Sequence, residues 1–176
     1  MNRQMKQLAL FASLAGAGLA AAGAYVSTAS GQPTAPVFVQ KMPAGYRDWR
    51  FVSLAREEGT LDDIRAMLGN DVAIKAYRKG TMPFPQGTMI ARLAYSYEAS
   101  EENNKAFGKR QSFVAGHPKN GVQFMIKDSK KYAATGGWGY GHFEGGTSAD
   151  ETMLKTCFPC HQAVESRDFV FTRYAP

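Results

Sequence analysis

An α+β domain, predominantly antiparallel β-sheet with short helices including one near the C-terminus, is the fold class this sequence predicts, and three observations predict it. Met89, Ala91, Leu93, Tyr95 and Tyr97 fall at alternate positions, the period of a strand with two distinct faces. Glycine pairs and prolines punctuate the chain at short intervals, as between Thr81 and Gly87 and at Gly136-Gly137. The helix-period stretches are brief, so the long amphipathic helices of a bundle are missing.

Taken in order, the chain opens with Arg3 and Lys6 ahead of an Ala-, Leu- and Gly-rich run from Leu8 to about Val26. Ser27-Thr28-Ala29 then offers small residues at the spacing a signal peptidase reads, so residues 1–29 are expected to be a cleaved signal peptide. The alternative is an uncleaved anchor, because the run approaches the roughly 20 residues that span a bilayer. Residues 30–41 read as a linker, polar and proline-containing from Ser30 to Pro36, and 42–176 as one domain. Loss of Arg3 and Lys6 with the leader lowers the formal charge from +6 to +4. Lys109-Arg110 and Lys130-Lys131 then form either a solvated surface or a field for an acidic redox partner. Basic and aromatic residues do not recur as a stacking groove, so nucleic acid is not an expected partner.

Tyr46 to Val52 reads as a helical turn running into a strand, and Asp62 to Leu68 as a short strand or a turn of helix. Asn70 or Asp71 caps a helix from Val72 to Lys79 that Gly80 ends. After the Pro-rich turn comes the alternating strand from Thr88, then a polar loop from Ser100 to Arg110. A second strand covers Val122 to Ile126 behind Asn120-Gly121, and Asp128 to Ala133 makes a helical turn. Trp138 to Phe143 resembles a strand thinned by glycine. Ser148 or Asp150 caps a helix through Met153 and Leu154 into Cys157, and Phe169 to Tyr174 is read as a last strand.

Cys157-Phe158-Pro159-Cys160-His161 carries the chemistry. Two thiols three residues apart can add to the two vinyl groups of one haem, and the adjacent histidine then falls beneath the iron. This predicts one covalently attached haem c on a C-terminal haem-attachment helix, with His161 as the metal ligand. The competing readings are a redox C-x-x-C disulfide, or half a zinc site completed by His117 or His142; no third cysteine exists to complete a Cys-rich site. Covalent haem attachment outside the cytoplasm agrees with the leader, and a periplasmic location is expected.

Several segments in a fixed order carry a more specific resemblance. They are Tyr46-Arg47-Asp48-Trp49, Gly87-Thr88 opening a strand, Lys127-Asp128-Ser129-Lys130-Lys131-Tyr132, Gly137-Trp138, the late C-x-x-C-H, and Val170-Phe171-Thr172-Arg173-Tyr174. From about Met42 to Pro176 the chain resembles the cytochrome P-460 family. The resemblance implies an antiparallel β domain, a homodimer, one c-type haem with an open or weakly occupied distal side, and small nitrogen compounds as ligands or substrates. Members oxidise hydroxylamine, and the related beta-type cytochromes c-prime bind nitric oxide.

Residue by residue, Cys157 and Cys160 match the thioether cysteines and His161 the proximal ligand. Arg92 stands where the oxidising members carry a lysine linked to the haem edge. Gln123 stands where they carry a distal carboxylate, and glutamine cannot act as a proton-accepting base. Arg65 matches a pocket arginine. Phe84 and Phe124 are candidates to cap the distal face or are core, and Met89, Met125, His117 and His142 are the candidate sixth ligands, the histidines being read as solvent-facing. The expected function is binding of nitric oxide or a related nitrogen compound at an open haem. The alternatives are oxidation of hydroxylamine or a weak peroxidase activity, and six-coordinate electron transfer to a partner cytochrome.

Overall fold

The computed structural model describes residues 38–175; the expected signal peptide and most of the expected linker lie outside them. Six strands form one antiparallel sheet in sequential order: β1 (Arg50–Glu57), β2 (Asp63–Gly69), β3 (Met89–Ala99), β4 (Phe113–Lys127), β5 (Trp138–Glu144) and the short β6 (Thr147–Ser148). Between them lie α1 (Asp71–Lys79) and α2 (Glu101–Phe107), and after them α3 (Glu151–Leu154) and α4 (Cys157–His161). The α+β class therefore holds. Each strand pairs with its chain neighbour, so short connections suffice and no parallel crossover is needed.

The alternation read in β3 sorts two apolar layers. Ala91 and Leu93 join Phe124, Phe143 and Val39 on one side of the sheet, whereas Ile90 joins Ala73, Ala76, Phe84, Trp138, Tyr140 and Val170 on the other. Cys157 and Phe158 pack against the second cluster, which fixes the side of the sheet on which the motif sits. Phe124 lies edge-on to Tyr46, Trp49 and Phe143 in the opposite layer, so a distal capping role for it is ruled out. Phe84 is core on the motif's side, against Tyr77 and Trp138. Phe38 and Val39, inside the span expected as linker, are buried, and Val39 N–H donates to the Tyr140 carbonyl.

Glycines thin β5 because other side chains need the space. A Cβ on Gly139 would collide with the Tyr132 ring, and one on Gly141 would meet Val39 at 2.8 Å. Asn70 is the cap of α1 and also ties it to the sheet: its Oδ1 accepts from Ala73 N at 2.9 Å and Met89 N at 3.1 Å, and its Nδ2 donates to the Gly87 carbonyl at 2.8 Å. Asn70→Ala should lower unfolding free energy by about 1–2 kcal/mol, at the upper end of a cap deletion because two elements lose donors' partners. Urea denaturation checks this, and a loss below about 0.5 kcal/mol would show that water replaces the amide without cost.

Three readings are corrected. Ser100 to Arg110 is not a loop: Ser100 Oγ accepts from Asn103 N, Glu101 and Glu102 sit in the first turn, and Gly108 ends α2 in the left-handed region. The second strand starts well before Val122, at Phe113, and bends where Asn120 and Gly121 both take positive φ. Phe169 to Tyr174 is not a strand. Asp168 and Phe169 have φ of 52° and 63°, which turns the chain off the sheet, and the tail runs along α1, where Tyr77 Oη donates to the Thr172 carbonyl and Tyr77 stacks on Tyr174.

Candidate functional site

The motif occupies α4, a single helical turn, reached through the α3 helix that Asp150 caps. Its compactness follows from sequence: Pro159 has no amide hydrogen to extend a ladder and sits within the first turn, where none is needed. Cys157 is half-buried and Cys160 exposed, and both are free thiols. Burial, then the neighbouring Cys160, pushes the Cys157 thiol above its ordinary range.

His161 is held by one nitrogen only. Its Nδ1 lies 2.7 Å from the Phe169 carbonyl, which can only accept, so Nδ1 carries the proton and Nε2 keeps its lone pair. Burial lowers the imidazole's pKa and the bond to Phe169 partly opposes that, favouring the neutral ring that ligates metals. The rings of Tyr140 and Phe171 flank it at 5.0 and 5.2 Å. The clamp on Phe169 is set in turn by Asp168, whose Oδ1 meets Lys127 Nζ at 2.6 Å and whose Oδ2 accepts from Phe84 N at 2.8 Å.

The structure also brings Arg92, Gln123 and Arg65 together. Arg92, Gln123 and His142 stand directly opposite one another across β3, β4 and β5. They lie two residues along each strand from Ile90, Met125 and Tyr140, the row nearest the motif, a step of roughly 7 Å on the same face. Arg92 Nη1 donates to Gln123 Oε1 at 3.2 Å and Nη2 to Asp63 Oδ2 at 2.6 Å, while Arg65 Nε donates to Asp63 Oδ1 at 2.7 Å. Asp63 is fully buried between the two guanidiniums. Burial and the nearby Arg65 lower the pKa of Arg92, partly offset by Asp63 and Glu57.

One member of this polar cluster escaped sequence reasoning and another is placed differently from its reading. Asp63 was not singled out, although Asp63 and Arg65 at alternate positions of a strand necessarily share a face. His142 is not solvent-facing: it is 4 % exposed, with Nδ1 3.3 Å from Gln123 Nε2 and Nε2 3.3 Å from Glu144 Oε1. Of the other candidate ligands, Met125 packs on the motif's side, Met89 alternates to the other, and His117 is exposed.

Among the described residues, no three of His, Cys, Asp and Glu converge where one metal ion would sit, so the half-zinc-site reading finds no further ligands. The donor set fits haem instead. Two unpaired thiols one turn apart adjoin an imidazole with a free Nε2, and beside them the Tyr140 hydroxyl is buried with no hydrogen-bond partner. An orphaned buried donor is costly unless something absent from the protein atoms accepts from it, and haem carries carboxylates able to do so.

That combination has one common use, the capture and ligation of haem, and on this sheet it defines a cytochrome of α+β rather than helical architecture. The family model described as Cytochrome P460 matches residues 43–172, and the chain belongs to the cytochrome P460 family. Family membership implies a covalently bound haem. Comparison with curated proteins gives no match.

Proposed function

We propose that this cytochrome carries one haem c, joined to Cys157 and Cys160 and ligated by His161 Nε2, and binds nitric oxide or a related small nitrogen compound on the opposite, open face. The haem supplies a redox-active iron with an exchangeable coordination position. The protein's contribution is to hold the imidazole by Phe169, to keep that side of the sheet apolar through Ile90 and Met125, and to direct the Arg92 guanidinium toward bound ligands.

One observation carries the choice of ligand binding over oxidation. Asp63, the buried carboxylate of the polar row, has both oxygens engaged by Arg65 and Arg92, and Gln123 stands where a base would be wanted. With each oxygen already accepting from a guanidinium, this carboxylate is held in place and is not free to reach a bound substrate. The row is therefore built to present fixed positive charge and amide donors, which suits an anionic or electron-rich ligand. The same reading takes the protein to be exported, dimeric and served by a partner cytochrome that exchanges electrons with the haem.

The intact mass should equal polypeptide plus one haem, the ferric spectrum should be mainly high-spin and five-coordinate, and nitric oxide should bind without displacing a strong ligand. Arg92→Ala should weaken ferric azide binding by about 1.5–3 kcal/mol, the worth of a hydrogen bond to a charged group. A low-spin spectrum of methionine or bis-histidine type, with Met125 as the nearest candidate, would instead assign the protein to electron transfer. A cross-linked, red-shifted haem would put Arg92 in the wrong role.

A further inference from the structure

His142 was expected to face solvent, yet it is the buried end of a row of polar side chains whose donors and acceptors are ordered in only one way. Arg92 can only donate, so the atom of Gln123 that lies 3.2 Å from its Nη1 must be the amide oxygen. The Gln123 amide nitrogen then faces His142, 3.3 Å from Nδ1, and because that nitrogen donates, Nδ1 must be bare. The neutral ring's proton is therefore on Nε2, directed at Glu144 Oε1 at 3.3 Å. Arg92 sets the amide, and the amide sets the histidine tautomer.

The converse holds on protonation. A proton on Nδ1 would oppose the Gln123 amide hydrogens, and a half-turn of the amide relieves that only by pointing the same hydrogens at Arg92 Nη1. We propose that His142 is a positioning residue for Arg92: in its neutral, Nε2-protonated form it locks the Gln123 amide and through it the guanidinium, and its protonation releases Arg92 from Gln123.

The groups around the ring leave this route open. On its own strand the facing charge is Glu144, and the β4 residue in contact is the neutral Gln123, with Arg92 and then Asp63 and Arg65 behind it. The β4 backbone passes close at Gly121, where a Cβ would come within 3.0 Å of Nε2, and β6 contributes only neutral Thr147 and Ser148. An effect on bound ligand rests on the reading of Arg92 as a pocket residue; the hydrogen-bond order does not.

The test uses the full haem-loaded protein, reduced under carbon monoxide so that the iron is diamagnetic, with ¹⁵N-labelled histidine and glutamine. At the alkaline end, long-range nitrogen–proton spectra should show His142 as the Nε2-protonated tautomer, and the Gln123 side-chain amide signals should shift with the same midpoint as the imidazole. His142→Asn places an oxygen where Nδ1 was but does not titrate: the Gln123 shift should keep its alkaline value and lose its pH dependence. His142→Phe should displace that signal at every pH. An Nδ1-protonated tautomer, or a Gln123 amide indifferent to the imidazole's titration, overturns the proposal.

The C–O stretch of the same sample separates this from the functional reading. A second band that grows in as His142 protonates, and is absent from His142→Asn, supports both. A pH-independent stretch with the Gln123 coupling intact supports the hydrogen-bond order and removes Arg92 from the ligand's side. Failure to form a carbon monoxide adduct sinks the open-site reading, while a six-coordinate ferrous haem is itself diamagnetic and the tautomer measurement still decides.

Discussion

Protein carrying Cys157→Ala together with Cys160→Ala is expected to lose all haem that survives a denaturing gel, whereas each single change should leave a reduced but stainable product. The argument rests on what remains in each case. His161 keeps its bond from Nδ1 to the Phe169 carbonyl in all three variants, so iron can still be ligated in the folded protein, but ligation by imidazole does not outlast denaturation. A thioether does. Neither cysteine belongs to the fully buried core, and Cys160 is exposed, so removing the thiols should leave the fold intact, which the far-ultraviolet circular dichroism of the double variant should show. Full haem staining of the double variant would sink the attachment site, and with it the proposed role of α4.

The second large effect is expected far from the thiols. Asp168→Ala should destabilise the protein by about 3–5 kcal/mol, because it leaves a buried ammonium without its counter-charge. Lys127 and Asp168 are only 5 % and 8 % exposed in their side chains and lie 2.6 Å apart. After the change Lys127 Nζ would keep the Gly136 carbonyl at 3.1 Å and the face of Trp138 at 4.9 Å, neither of which neutralises it. Phe84 N would also lose its acceptor. Replacing both partners, as Lys127→Met with Asp168→Asn, should recover much of the loss, since a neutral pair has no charge to desolvate and asparagine tolerates the left-handed backbone at 168. Urea midpoints at constant slope measure this. A loss under about 1 kcal/mol in Asp168→Ala, or a double variant worse than the single, would show that the pair is not the clamp on the segment that holds His161.

Much of the scaffold was legible because it depends on local chemistry. The period of two in β3, the cap of α1 narrowed to Asn70 or Asp71 and its glycine stop, the glycine-thinned β5 and the helical turn leading into β1 all correspond to elements of the structure, which assigns the cap to Asn70. Where reading failed, the local signal was ambiguous. Ser100 with two glutamates behind it is a helix start, but a seven-residue polar helix has almost no apolar period to reveal it. The first half of β4 is interrupted by Gly116, Pro118 and Asn120-Gly121, each a turn signal taken alone; pairing with β3 overrides them. The tail from Phe169 has strand composition, and only the left-handed pair Asp168 and Phe169, held by the buried bond to Lys127, diverts it along α1.

The site divides in the same way. Sequence by itself determined the C-x-x-C-H run, and therefore the spacing of two thiols and an imidazole, because one helical turn brings those three groups together whatever surrounds it. It also determined that Gln123 shares a strand face with Met125, since alternation along a strand is local, whereas Asp62 to Leu68 read equally as a strand or a turn of helix, so only the structure put Asp63 and Arg65 on one face. Which faces look at one another was decided only by the tertiary structure. The register that sets Arg92 against Gln123 and Gln123 against His142 joins residues 31 and 19 apart in the chain, and a slip of one residue would send every one of those side chains to the opposite layer. The burial of His142, the shared grip of two arginines on Asp63, and the choice of Nε2 as the free nitrogen of His161 all follow from contacts between strands and segments distant in sequence, where periodicity carries no information.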